Sequence, residues 1–177
     1  HPDTGREKLN LPTMRPNLSY LTSDGQLLDQ IEPEHRLASI RHLAVRPDGL
    51  VGIGMQWQGD PAWVPPLAAV HRAGHPLRVL GTAKGLDGYV GSVAFSGTGD
   101  QLAVTSPRGG RLRVFDLTQK QGTRDKVAAD VCGVAPAGNG LFITTGLGHL
   151  IRTGTGGNET LRVADLAWDN HVVPITA

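Results

Sequence analysis

At 177 residues the chain is sized for one domain, and a hydrophobic content of 39% excludes an intrinsically disordered chain. A net charge of +1, from 17 Lys+Arg against 16 Asp+Glu scattered along the chain, removes the electrostatic case for nucleic acid. No apolar run approaches the ~20 residues that cross a bilayer, so membrane insertion is not expected. With 24 glycines, 12 prolines and only 5% aromatic residues, many short strands between turns are favoured over long helices. The single cysteine, Cys132, excludes an internal disulfide and fits a reducing cytosol or a bridge-free periplasmic protein equally. No charged n-region leads into an apolar h-region, so no export signal is read in this chain.

Residues 1–16, with three prolines, read as an extended loop. Residues 17–22 and 26–32 form a hairpin around Ser23-Asp24-Gly25, since Asp-Gly between apolar alternations is a strong hairpin signal. A repeat then begins at Ile40-Arg41-His42-Leu43-Ala44-Val45-Arg46-Pro47-Asp48-Gly49, an apolar strand that opens on a polar pair and closes on a Pro-Asp-Gly turn. Versions return at 90–100 and 132–140, and an incomplete one at 169–174. Aligning Leu43, Val93 and Val134 gives spacings of 50 and 41 residues, and His171-Val172-Val173 follows 38 residues later.

Each full unit holds four short strands: 40–45, 50–55, 66–71 and 77–82 in the first; 90–95, 101–105, 111–116 and 126–129 in the second; 131–135, 141–145, 149–153 and 160–166 in the third. Four strands at roughly 40–50 residues per unit is the period of β-propeller blades. A helical solenoid needs a 3.6-residue apolar period that these segments lack, while a plain β-sandwich remains an alternative. The expected fold is all-β, a propeller of four-stranded antiparallel blades making about half of a ring. It divides as loop and outer hairpin (1–38), three blades (39–87, 88–129 and 130–167) and the inner strand of a closing blade (168–177). A ring must close, so the missing N-terminal half or a second chain is expected to complete it.

Segments 1–11, 39–44, 54–60, 88–95, 106–110 (Ser-Pro-Arg-Gly-Gly), 130–135 and 168–171 (Trp-Asp-Asn-His) together resemble the C-terminal half of a bacterial family of exported β-propeller proteins, related to WD40 and YVTN-type propellers, whose activity is unknown. The resemblance covers essentially the whole chain. It implies a seven-bladed ring in the complete protein, periplasmic location through a twin-arginine signal, and closure by an N-terminal segment. Neighbouring genes of imelysin and di-haem peroxidase type imply a link to metal or iron handling.

Propeller geometry brings the start of each inner strand and the loop between second and third strands to one face, at the mouth of the central channel. That collects Arg41-His42, Gly91-Ser92, Cys132-Gly133 and Asn170-His171 with loops 55–60, 106–109 and 146–149, and with His1, Asp3, Arg6, Asn10 and Met14. His42 and His171 occupy equivalent rim positions, where neutral imidazoles suit a transition metal and Cys132 could add a soft ligand. The alternative is that both histidines bond neighbouring carbonyls, and that Cys132 is a small buried apolar residue. Arg41 and Arg108 are candidate grips for a carboxylate or phosphate, and for Arg108 the competing role is a salt bridge to Asp60, Asp130 or Asp169. Trp57 and Trp63 offer aromatic surface to a protein or small-molecule partner, or else pack over the next blade, and Asp60 and Asn170 are further ligand-binding candidates on the same face. No paired carboxylates and no Ser-His-Asp arrangement point to catalysis. The sequence therefore describes a binding or scaffold module, with a metal or redox protein as the alternative.

Overall fold

A computed structural model describes residues 9–119, 122–154, 157–162, 165–173 and 175. The loop residues His1, Asp3 and Arg6, and Pro174 at the end of the last repeat, lie outside the described residues. Apart from a 3-10 turn at Leu11–Thr13, every regular element is a strand. Strands β1 (Leu18–Leu21) and β2 (Leu27–Ile31) pair as the expected hairpin. Three four-stranded antiparallel sheets follow, each a meander in chain order. The first holds β3 (Ala38–Val45), β4 (Val51–Trp57), β5 (Ala68–His71) and β6 (Arg78–Leu80). The second holds β7 (Ser92–Phe95), β8 (Gln101–Ser106), β9 (Arg111–Asp116) and β10 (Thr123–Val127), and the third β11 (Val131–Ala137), β12 (Gly140–Thr145), β13 (His149–Gly154) and β14 (Gly157–Arg162). These are β-propeller blades.

The repeated turn works the same way in its first two copies. Gly49 N–H donates to Arg46 O and Arg46 N–H to Leu50 O, as Gly99 does to Ser96 O and Ser96 to Gln101 O, all at 2.9 Å. Gly49 sits at φ 84°, which a residue with a Cβ rarely adopts, and this explains the recurring glycine. The Asp48 carboxylate then gathers two cations: Arg46 bidentate at 2.7 Å and Arg72 at 2.6 Å. Arg46 also donates to Gly99 O at 2.6 Å, tying one blade's turn to the next.

Blades stack face to face. Ile53, Met55, Leu67, Val90, Leu102 and Val104, at 2% exposure or less, fill the first junction. Ala103, Leu112, Val131, Val134 and Ile143 fill the second. Because central strands are covered on both sides, β4, β8 and β12 read as continuous apolar runs rather than alternating ones. Thr105 Oγ1 donates to Cys132 O, and Ser92 Oγ accepts from Val134 N–H at 3.2 Å, so the second junction also carries buried polar contacts. The β1–β2 hairpin docks outside the first blade, where Tyr20 OH meets Nδ1 of buried His71 at 2.8 Å. His71 Nε2–H donates to His75 O at 2.7 Å.

The inner strands are not regular. In β3 the register slips between Ile40 and His42, leaving Arg41 as an extra residue, and in β11 it slips between Val131 and Val134. Both bulges fall on the polar pairs of the repeat and re-aim those side chains. The segment expected as a last inner strand, 168–173, carries no strand pairing among the described residues. With no hairpin partner beside it, it packs instead on β11, so close that a Cβ on Gly133 would lie 2.5 Å from Val172 Cγ2.

Candidate functional site

The β4–β5 loop, the β6–β7 connector (81–91) and the β8–β9 turn meet on one face at the junction of the first two blades. Between them lies a cleft of about 490 Å³ lined by Trp57, Val64, Ala83, Lys84, Asp87 and Arg108, among others. Trp57 and Arg108 come from different blades, so the expectation that their loops share a face puts them in one cavity.

Its walls are fixed by polar contacts to the connector's backbone. Trp57 N–H donates to Gly88 O at 2.8 Å, and Ser106 Oγ donates to Leu86 O at 2.7 Å. Arg113, its side chain only 6% exposed, donates to Thr82 O and to Lys84 O (2.8 Å) while its fork grips Asp125 at 2.6 and 2.7 Å. These bonds hold the Asp125 carboxyl below the usual carboxylate range, with Arg113 the main cause. At the β8–β9 turn the backbones touch: a Cβ on Gly109 would stand 2.1 Å from Gly85 O.

Tyr89 organises the rim beside the cleft. It bridges to Gln56 across the blade junction, and its hydroxyl accepts from Asn170 Nδ2 at 3.2 Å. The Arg108 guanidinium lies 5.4 Å from its ring centroid, and His42 stands edge-on at 6.4 Å. His42 and His171 are brought together, with ring centroids 5.2 Å apart. Burial, and then the neighbouring His171 and Arg41, hold the half-buried His42 imidazole below its ordinary pKa, so it is neutral at pH 7. Tyr89 was not legible as a site residue, because its role comes from an inter-blade bridge that no spacing announces.

The other candidates separate. Arg108 is exposed and makes no ion pair among the described residues, so the salt bridge to Asp60, Asp130 or Asp169 is not formed there. Arg41 is likewise exposed on its bulge. Asp60 is turned to its own loop. Its Oδ1 accepts Ala62 N–H and its main-chain carbonyl accepts Trp57 Nε1–H, each at 2.8 Å, an Asx-type closure of the exposed loop. Trp63 leaves the cleft to pack edge-on against Trp57 (5.5 Å) and His35 (5.0 Å).

Cys132 is buried and its thiol donates to Asp130 O at 3.1 Å. Burial and then Asp130 push that thiol up to about 11, so it is neither a ready thiolate nor a ready metal ligand. Among the described residues no three His, Cys, Asp or Glu side chains converge as a metal site, so Cys132 does not join the two histidines.

Blades, junctions and loop face together define a β-propeller fold with a ligand-sized cleft on one face of its first blade junction. The chain belongs to the family described as a protein of unknown function (DUF1513), whose model matches residues 1–175. No curated protein matches it in sequence. In fold it is similar to Sqt1 of Saccharomyces cerevisiae, with a TM-score of 0.67 at 18% identity over 92% of this chain and 47% of that one. It is also similar to dihydro-heme d1 dehydrogenase NirN in complex with DHE, with a TM-score of 0.64 at 14% identity over 86% and 34%. A third likeness is to a virginiamycin B lyase from Staphylococcus aureus with quinupristin, with a TM-score of 0.64 at 9% identity over 85% and 50%. The chain thus spans between a third and a half of these proteins' length, and at such identities the likeness is one of fold.

Proposed function

We propose that the protein is a non-enzymatic binding module of the periplasm, which takes a small ligand or a segment of a protein partner on its channel-mouth face. The observation that carries this reading is the preformed cleft at the first blade junction, where Trp57 supplies apolar surface and Arg108 a guanidinium with no ion pair among the described residues. Rigid blades carrying variable loops are the usual way a propeller is adapted to a ligand, and two of the fold neighbours are described with one. Ligand-observed NMR with a panel of small molecules spanning anionic, cationic and neutral classes tests it. Hits that vanish in a Trp57→Ala, Arg108→Ala variant are expected; a panel with no such hit refutes the module reading.

Periplasmic location and a seven-bladed ring rest on the family resemblance, and fractionation of the full-length protein checks the first. The remaining blades, or a second copy, are proposed to close the ring over apolar residues that stand exposed here, Leu43 (49%) and Val45 (69%) on β3 and Val173 (78%) in the last segment. Mass in solution decides between the two.

The 5.2 Å approach of His42 to His171 favours a second reading, a two-imidazole metal site at the channel mouth. His42 and His171 would hold the ion, which would supply Lewis-acid or redox chemistry, and its other positions would stay open to solvent or to a partner. Metal analysis of protein purified without a His-tag tests this. Stoichiometric copper, nickel, zinc or iron that disappears in a His42→Ala, His171→Ala variant is the expected result, and no stoichiometric metal retires the reading.

A further inference from the structure

The cleft's charge and its construction go further than a general binding face. Two cations line it, Lys84 and Arg108, against one acid, Asp87. Neither cation makes an ion pair among the described residues. The Arg108 guanidinium carbon lies 5.4 Å from the Tyr89 ring centroid, and its N–H groups make no hydrogen bond among the described residues, which leaves the fork to other partners. Lys84 is exposed, but its backbone is not free: Arg113, itself buried, holds the Lys84 carbonyl at 2.8 Å and also binds that of Thr82. Ser106 fixes Leu86 two residues further on, and the Gly109–Gly85 contact locks the turn that bears Arg108 against the segment that bears Lys84. The apolar part of the lining is built from Trp57, Val64 and Ala83.

Resting on the binding-module reading above, we infer that this cleft takes an organic anion with an apolar body. Its carboxylate or phosphate lies between Arg108 and Lys84, and its body lies against Trp57. The site is preorganised, so ordering costs at binding are small, and the volume suits a ligand of drug-like size. Two cations against Asp87 leave the cleft net positive, which favours an anionic headgroup. A carboxylate or phosphate that meets a guanidinium fork gains charge-assisted hydrogen bonds that a neutral isostere does not.

The probes are 2-naphthoate, 2-naphthyl phosphate, 2-naphthalenemethanol and 2-naphthylmethylammonium, titrated calorimetrically against the intact protein at low salt. Both anions are expected to bind at least about tenfold tighter than the alcohol, with the ammonium weakest. An Arg108→Gln, Lys84→Gln variant, changed only at exposed side chains, should bind anion and alcohol alike. Trp57→Ala should weaken both together. Alcohol binding as tight as naphthoate overturns the anion assignment while leaving the module reading intact, and so does a charge preference that survives in the Arg108→Gln, Lys84→Gln variant. Absence of any Trp57-dependent hit in the broad NMR panel is the separate failure of the module itself.

Discussion

Arg113 ties the connector that walls the cleft, and its removal has a calculable cost. Arg113→Met keeps an unbranched chain of similar length and deletes a bidentate pair with Asp125, at 2.6 and 2.7 Å, together with donors to Thr82 O and Lys84 O. Charge-assisted hydrogen bonds contribute about 1.5–3 kcal/mol and neutral ones about 0.5–1.5 kcal/mol. Two facts reduce the sum: Arg111 still reaches Asp125 at 2.9 Å, and the Asp125 side chain is 28% exposed. The net expectation is a loss of about 3 kcal/mol, a large share of a typical domain's stability. Urea unfolding followed by fluorescence and by circular dichroism measures it, with Asp125→Asn and the double variant closing a cycle. Because Asp125 is held below its ordinary pKa, the pair's contribution is present above about pH 4 and is lost as pH falls through the folded value. That acid dependence should flatten in Arg113→Met. A loss below about 1 kcal/mol, or strict additivity in the cycle, refutes the reasoning.

Gly109→Ala should disrupt the β8–β9 turn, since the new methyl would stand 2.1 Å from Gly85 O; the expected loss is about 2 kcal/mol or more, together with weaker binding of any cleft ligand. Cys132, buried and with its thiol pushed up to about 11, should resist a thiol reagent at pH 8 in the folded protein and react promptly in denaturant; fast reaction in the native state contradicts its placement. Tyr20→Phe leaves buried His71 Nδ1 without its donor and should cost about 1–2 kcal/mol in urea unfolding. His42 has a folded pKa below its unfolded value, so the folded state binds its proton less readily and stability should fall as pH drops below about 6.5. His42→Gln should remove that part of the pH dependence.

The architecture was legible because the repeat pairs an apolar run with a turn whose glycine needs positive φ, and both leave a mark on the sequence at Gly49 and Gly99. Propeller geometry also placed Trp57 and Arg108 on one face before any contact was known. What stayed hidden is how side chains spend their hydrogen bonds. Asp60 reads as a surface carboxylate, yet its own loop uses it, and Lys84 and Tyr89 read as connector residues, yet they line the cleft and its rim. The last segment reads as a strand on its apolar alternation, but pairing needs a neighbour that pattern alone does not supply. The bulges at Arg41 and at Cys132-Gly133 were likewise invisible, because an inserted residue leaves the alternation on either side intact.

The side-chain hydrogen bonds that cross between the three full blades share a grammar. Arg46 donates to Gly99 O, Thr105 to Cys132 O and Arg113 to the carbonyls of Thr82 and Lys84, while Ser92 accepts from Val134 N–H. Each joins a side chain on one blade to main chain on the next or on its connector. Such a junction specifies the residue on one side only, and any amino acid whose backbone runs the same course can stand on the other. Neighbouring blades can therefore diverge in composition without renegotiating these hydrogen bonds. This is a physical route by which chains of 9–18% identity keep one architecture.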